Sequence, residues 1–429
     1  MAKRLLTVID IGSAKICTVI SNLEDEKASV IGVATAPSRG IKKGVVINID
    51  EATDSIAECL EAAERMAGFT VDGAIISIGG KHIASTNNKG VVAVSKDEIS
   101  AEDVARAIES AKAVSVPQSR EILHVIPREF ILDAQAGIKD PIGMSGIRLE
   151  VDTHIISATS SVMHNILKCV NQVGLQVQDT VFGGWVAAQA VLTSTEKELG
   201  VLLLDIGAGV TNISVFQDDS VYYSASVDLG GNNITSDLAI GLRLSLSDAE
   251  RVKCEAGTLL KNAKVRADSA RKKMHPESPA VQIDERKLVM DIADLGIDGT
   301  NMTEITKELF DEIVEARLEE IFQAVEDQLD SAGIPMKFPA GIVLTGGTAK
   351  LLGITRAAQK YMPGAIRVGI PTSLYGLSEE INGAPYAVVH GMIQYAVRHK
   401  INNREPGNIN NTSNKIVDKV KSWVKSILP

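Results

Sequence analysis

One short pattern, repeated at long range, constrains this chain more than anything else in it. Leu6-Thr7-Val8-Ile9-Asp10-Ile11-Gly12-Ser13 runs into Lys15-Ile16-Cys17-Thr18-Val19-Ile20. Far downstream, Val201-Leu202-Leu203-Leu204-Asp205-Ile206-Gly207-Ala208-Gly209 runs into Thr211-Asn212-Ile213-Ser214-Val215-Phe216. Each copy reads as a buried apolar strand, a tight Asp/Gly turn and a second apolar-rich strand. The two aspartates stand 195 residues apart, whereas a solenoid repeats its unit every ~20–50 residues. The pattern therefore predicts an α/β chain with two similar lobes facing each other.

The length, 429 residues, allows two or three domain-sized units with their own cores. Only 3% of residues are aromatic, so those cores must be aliphatic. A net charge of −10 argues against general nucleic-acid binding, which needs a broad basic surface. Cys17, Cys59, Cys169 and Cys254 lie far apart with no CxxC, and are expected to be small buried hydrophobes in a reducing cytosol. The N-terminal apolar run is interrupted at Asp10, which fits a β-strand and not a secretory signal. No apolar stretch approaches the ~20 residues of a membrane span, so the expected location is cytosolic.

Between the two copies, residues 52–67 and 100–114 have helical periodicity, the second opening with a Ser100 cap and the capping-box acid Asp103. Ile75-Ile76-Ser77-Ile78 reads as a strand ending at Gly79-Gly80. Residues 300–332 predict a long helix capped by Thr303, and Ile342-Val343-Leu344-Thr345 a strand ending at Gly346-Gly347. The folded body is expected to end near His399, followed by an Asn-rich polar linker over residues 401–414.

An apolar strand ending in Asp-x-Gly puts a carboxylate at the strand tip beside exposed backbone N–H groups. Such N–H groups cradle anions, and the carboxylates hold Mg²⁺, usually through water. One such turn is commonly a plain hairpin; two, each flanked by strands, are far more specific. Paired glycines after a buried strand, as at Gly346-Gly347-Thr348, let a base or phosphate approach the backbone.

These three elements, in this order, resemble the actin-like ATPase superfamily. The resemblance implies ATP with Mg²⁺ bound between two lobes of an actin-like, ribonuclease H-like fold. By it Asp10, Gly12 and Ser13, with Lys15 after them, form a first phosphate loop. Asp205, Gly207, Ala208, Gly209, Thr211 and Asn212 form a second, and Gly346, Gly347 and Thr348 the adenosine loop. Gly230 and Gly231 lead into the next helix, and Glu250 and Lys253 match a Glu-x-x-Lys that contacts adenine and ribose. The last pair could equally sit on a solvated helix face. The metal falls to Asp10 and Asp205, through water. Where hydrolytic members carry a Glu-Pro and an Asp, this chain has Gly183-Gly184 and Asn212, none of which can act as a general base. Slow or negligible hydrolysis is the expectation.

A narrower resemblance lies in residues 83–159, through Lys89-Gly90-Val91-Val92-Ala93-Val94-Ser95, His124-Val125-Ile126-Pro127-Arg128-Glu129-Phe130 and Gly137-Ile138-Lys139-Asp140-Pro141-Ile142-Gly143-Met144-Ser145-Gly146. This closely resembles the inserted subdomain of the FtsA family of bacterial cell-division proteins, and the likeness runs over essentially the whole chain. His124 and His154, among strand-like apolar residues with no nucleophile nearby, are expected to be structural. The resemblance implies a first lobe from 1–82, 160–195 and 372–400, an inserted subdomain at 83–159 and a second lobe from 196–225 and 300–371. A subdomain at 226–299 would dock the C-terminal tail of the tubulin-like FtsZ. Its basic residues include Arg243, Lys253, Lys261, Lys264, Arg266, Arg271, Lys272 and Lys273. Actin-like self-assembly, recruitment of later division proteins and a peripheral place on the inner membrane at the septum are implied in the same way.

The tail can be read from its own residues. On a helical wheel of residues 415–428, Ile416, Val417, Val420, Trp423, Val424, Ile427 and Leu428 fill one arc of roughly 140°. Lys415, Asp418, Lys419, Lys421, Ser422, Lys425 and Ser426 fill the rest. Such a helix is ~21 Å long, too short for a ~30 Å hydrocarbon core. Lysines opposite a Trp face suit a helix lying among anionic phospholipid headgroups, so residues 415–429 are expected to be a membrane-targeting amphipathic helix. Two other readings stay open: a small-molecule phosphotransferase of the same fold, and the pilus-assembly relative of FtsA.

Overall fold

The computed structural model describes residues 4–24, 27–95, 97–113, 117–274, 284, 287–297, 304–372, 374–399 and 401. The first copy of the repeat forms the hairpin β1 (Leu5–Ile11) and β2 (Lys15–Glu24), extended antiparallel by β3 (Lys27–Pro37). A small ribbon, β4 (Ile41–Lys42) with β5 (Val45–Val46), leads to α1 (Ile49–Ala67), whose first turn donates the N–H groups of Asp50 and Glu51 to the Asn48 side chain. β6 (Gly73–Ile78) then lies parallel to β1, every residue buried. Continuous burial is what a parallel strand covered on both faces demands of its sequence.

The chain now leaves this sheet. β7 (Ala84–Ala93), α2 (Ala101–Lys112), β8 (Arg120–Leu132), β9 (Gln135–Ile138) and β10 (Arg148–Thr159) make a separate four-stranded sheet of order β7-β10-β8-β9. Its own core joins Val104, Ala107 and Ile108 of α2 to Phe130, Leu149 and Val151. Ser100 and Asp103 cap α2 reciprocally, as the capping-box spacing predicts. The chain returns through α3 (Ser160–Gln172) to β11 (Gln176–Phe182), parallel to β6, then α4 (Gly183–Val191) and α5 (Ser194–Leu199).

The second copy repeats the layout. β12 (Val201–Ile206), β13 (Thr211–Gln217) and β14 (Ser220–Val227) are antiparallel, and α6 (Gly231–Leu242) and α7 (Leu246–Met274) follow. β15 (Val289–Asp291) pairs with β16 (Glu304–Thr306) before α8 (Lys307–Ser331). β17 (Ile342–Thr345) lies parallel to β12, and after α9 (Ile354–Tyr361) β18 (Ile366–Val368) lies parallel to β17. The strand orders β11-β6-β1-β2-β3 and β14-β13-β12-β17-β18 are thus one topology used twice. The short β19 (Tyr375–Gly376) adds to β3, and α10 (Ala387–Arg398) closes the described body. α4 and α10 sit in a core shared by both sheets, where Val186, Ala187, Val389 and Met392 meet Val8 and Leu203. The fold is the two-lobed actin-like one with an inserted subdomain.

Two expectations need correction. α8 is capped by Thr306, whose hydroxyl accepts the Leu309 N–H at 3.2 Å, because residues 304–306 are first used as a strand; Thr303 lies outside the described residues. Cys17, Cys59 and Cys169 are buried, but Cys254 is exposed on α7. His124 and His154 are structural: Nε2 of His124 accepts the Phe182 N–H at 3.0 Å, and His154 bridges Asn87 and Ser224 at 2.7 and 3.0 Å. Burial, with Arg128 and His124 nearby, holds the His154 pKa down to about 3. Among the described residues no helix is long and apolar enough to cross a membrane. The expected linker, apart from Ile401, and the amphipathic helix lie outside the described residues.

Candidate functional site

The two Asp-x-Gly turns have the same hydrogen-bonded register. Asp10 pairs with Cys17 and Ile11 with Ile16; Asp205 pairs with Asn212 and Ile206 with Thr211. The Gly12 N–H donates to the Lys15 carbonyl at 3.1 Å and the Gly207 N–H to the Val210 carbonyl at 2.9 Å. The turns come from opposite lobes and touch: a Cβ on Gly209 would lie 2.8 Å from Ser13 Oγ, so only glycine permits the approach. Ser13 Oγ also accepts the Gly44 N–H at 3.0 Å, which brings the β4–β5 ribbon to the same place.

Both strand-tip carboxylates are held from behind. The Ser77 hydroxyl, on the parallel neighbour β6, donates to Asp10 at 2.6 Å. The Asn212 amide donates to Asp205 at 3.0 Å, and its carbonyl oxygen accepts from Ser226 at 2.7 Å. Burial pushes the Asp10 pKa up, against the Ser77 hydrogen bond and the Lys15 charge. Burial likewise pushes Asp205 up to about 6; the Asn212 bond opposes this and the nearby Asp10 charge adds to it. A neighbouring pair of carboxylates, one of which raises the pKa of the other, forms a site that favours a cation. Among the described residues no group of three or more potential metal ligands occurs. An ion here would take most of its shell from water or an anionic ligand, which suits Mg²⁺.

The other predicted residues gather around the second turn. Gly231 and Asn232 donate N–H groups to the carbonyls of Gly207 and Ala208 at 2.9 and 2.7 Å, which seats the start of α6 on the turn. Gly346, at φ +87°, passes so close that a Cβ would meet Asp205 Oδ1 at 2.5 Å. The Thr348 hydroxyl donates to the Gly207 carbonyl at 2.9 Å, while Gly347 borders open space. Lys253 is not on a solvated face, although its partner Glu250 is partly exposed. Lys253 Nζ lies 2.6 Å from Glu250, 2.8 Å from Thr235 and 3.1 Å from the Gly231 carbonyl, and its side chain is only 10% exposed. Burial raises the Glu250 pKa, but hydrogen bonds from Lys253 and Thr235 outweigh it and hold the group below its ordinary value. Thr211 is brought in differently: fully buried, it donates its hydroxyl to the Leu229 carbonyl at 2.9 Å and so positions the segment before Gly230.

Lys15 lies over the ring of Tyr386, 3.4 Å from its centroid. Burial lowers its pKa, Cys17 and Asp10 raise it, and Lys350 lowers it again. Lys350 stands at the end of the Gly347–Lys350 turn, so lysines from both lobes face the same gap. Ser77, Thr235, Ser226 and Tyr386 were not among the expected site residues. Ser77 had a partial signal, a hydroxyl near the end of an apolar strand that runs into Gly79-Gly80, one residue further from its glycines than Thr345 is from Gly346-Gly347. Tyr386 had none.

Comparison with known proteins bears on the fold and the family. Residues 80–157 match the family model described as the SHS2 domain inserted in FTSA, and residues 202–391 match that of cell division protein FtsA. The chain is 36% identical to the cell division protein FtsA of Borreliella burgdorferi over 99% of its length and 98% of the relative's. It is 37% identical to that of Bacillus subtilis (94% and 86% covered) and 30% identical to that of Escherichia coli strain K12 (99% and 97%). Among solved structures, one titled "PilM-PilN type IV pilus biogenesis complex" superposes with a TM-score of 0.59 at 15% identity, covering 92% of this chain and 99% of that one; it shares the fold. With relatives this similar over nearly their full length, the chain belongs to the FtsA family of actin-like cell-division proteins.

Proposed function

We propose that this protein binds ATP with Mg²⁺ between its lobes, assembles on the inner face of the cytoplasmic membrane and tethers the tubulin-like FtsZ there. The observation that carries the nucleotide part is the meeting of two turns of identical register, one from each lobe, with Asp10, Asp205, Lys15 and Lys350 around the gap. Backbone N–H groups of the turns would receive phosphate oxygens, and the Gly346-Gly347 turn with Glu250 and Lys253 would receive the nucleoside. Mg²⁺, held by Asp10 and Asp205 through water, would neutralise phosphate charge. Hydrolysis is slow in this reading. The Asn212 side chain is committed to Asp205 and Ser226, and Gly183 and Gly184 offer no side chain to orient water.

Membrane attachment rests on residues 415–429, where Ile416, Val420, Trp423, Val424, Ile427 and Leu428 enter the headgroup region and Lys419 and Lys425 meet anionic lipid. Each lysine near such a leaflet contributes ~1 kcal/mol, so one helix binds reversibly and assembly strengthens it through avidity. The basic residues of the 226–299 region suit an acidic tail peptide of FtsZ. A phosphotransferase would need a carboxylate aimed at a substrate hydroxyl, and both cleft carboxylates are bound from behind by Ser77 and Asn212. The pilus-assembly reading leaves the basic tail helix without a role.

The test is vesicle co-sedimentation of the full chain and of a chain ending at Asn414, with and without Mg-ATP. Pelleting of the full chain alone, stronger with ATP, is expected. If both stay soluble the anchor fails, and substrate-dependent ADP release would favour the phosphotransferase.

A further inference from the structure

The segment Ala384–Tyr386 is a single 3₁₀ turn leading into α10, far in sequence from either phosphate turn. It nevertheless touches both ends of the cleft. The Ala384 carbonyl accepts the Gly346 N–H at 3.1 Å and the Thr345 hydroxyl at 3.3 Å, which pins the turn to the Gly346-Gly347 loop of the second lobe. Two residues on, the ring of Tyr386 carries the Lys15 ammonium of the first lobe on its face. Lys15 makes no hydrogen bond or ion pair with any side chain among the described residues. The groups that act on it are Asp10 on β1, Cys17 on its own strand, Lys350 from the second lobe and the Tyr386 ring.

We infer that Tyr386 is a positioning residue for polyphosphate binding, holding the Lys15 ammonium in place while leaving donors free on the side away from the ring. A half-buried ammonium needs compensation for lost solvation. A carboxylate in contact would supply it, but would also cancel the charge and occupy N–H donors. A ring face stabilises the cation through its quadrupole and accepts no conventional hydrogen bond. The N–H groups not directed at the ring, and the full positive charge, then remain available to phosphate oxygens, against the repulsion of Lys350. Because the same turn seats the Gly346 loop, one rigid piece sets the distance between the phosphate-binding lysine and the nucleoside end. Tyr386 acts in this way only if the cleft binds a nucleotide, the reading proposed above.

Calorimetric binding of Mg-ATP, Mg-ADP and adenosine to the full chain separates the possibilities, using Lys15→Ala, Tyr386→Phe, Tyr386→Leu and the double variant Lys15→Ala/Tyr386→Leu. Tyr386→Leu should weaken Mg-ATP and Mg-ADP about three- to thirty-fold, the range of a partly to fully desolvated cation–π contact. Adenosine should change less than about twofold, and Tyr386→Phe, which keeps the ring, should restore Mg-ATP binding. In the Lys15→Ala background, removing the ring should cost nothing more. Equal losses for adenosine and ATP, additive losses in the double variant, or no loss at all would overturn the assignment. If Tyr386→Leu does not fold, Tyr386→Met removes the ring at closer volume and is judged by the same criteria. Should the wild type bind no Mg-ATP, the nucleotide reading falls and this role falls with it. Weakening by Lys15→Ala with none by Tyr386→Leu overturns only the role of Tyr386.

Discussion

The two turns share a backbone and differ in side chains. Position for position, Ser13 faces Ala208, Ala14 faces Gly209, Lys15 faces Val210 and Cys17 faces Asn212. The first turn thus carries the hydroxyl and the cation, and the second carries the glycine that lets them meet. Each carboxylate is supported by a different device, a hydroxyl from the parallel strand at Asp10 and an amide from the antiparallel strand at Asp205. The duplicated topology yields two anion cradles and two metal-facing carboxylates; the side chains around them give the cleft a direction.

The largest effect tests the equivalence of the carboxylates. Asp10→Asn and Asp205→Asn should each weaken Mg-ATP about 100-fold or more, as for removal of one partner of a buried charge pair. Titration calorimetry with and without Mg²⁺ checks this, and a loss in only one variant would break the equivalence. Next comes pH. Asp205 has a folded pKa of about 6, above its ordinary 3.8. Its contribution to the stability of the ligand-free protein is therefore fully present below about pH 4 and lost as pH rises through about 6. Asp205→Asn should flatten urea-unfolding stability between pH 4 and 7 by something of order 2 kcal/mol; an unchanged profile would contradict the burial of this carboxylate.

Smaller effects sharpen the contrast. Gly209→Val should destabilise the protein by about 1–3 kcal/mol through its clash with Ser13, seen as a lower unfolding midpoint. Ala14→Val, the matching enlargement at the exposed position of the first turn, should change stability by no more than about 0.5 kcal/mol. Comparable losses at both positions would mean that the turns do not meet as described. Ser77→Ala is expected to cost about 1 kcal/mol and to raise the Asp10 pKa further, visible by NMR titration of that carboxyl.

What could be read in advance was local. The apolar runs Val201-Leu202-Leu203-Leu204 and Ile75-Ile76-Ser77-Ile78 announce strands covered on both faces, and Ser100 with Asp103 announces a helix start three residues long. The cap of α8 falls at Thr306 although Thr303 and Thr306 are equivalent as local signals, and only pairing with β15 shows that residues 304–306 are first a strand. The exposure of Cys254 is not legible in the sequence, because it depends on which face of α7 the neighbouring elements cover.

The chain's own order of residues determined the duplicated strand–turn–strand unit, since register in a tight hairpin follows from a handful of adjacent residues. It equally determined the capped helix of the insert and the amphipathic pattern of the tail. Tertiary structure alone decided that Ser77 supports Asp10, that Lys253 lies along Gly231 and Thr235, and that Tyr386 lies beneath Lys15. These partners are 67, 22 or 18, and 371 residues apart. Their meeting depends on how sheets and helices pack, and no short-range periodicity records the outcome of packing.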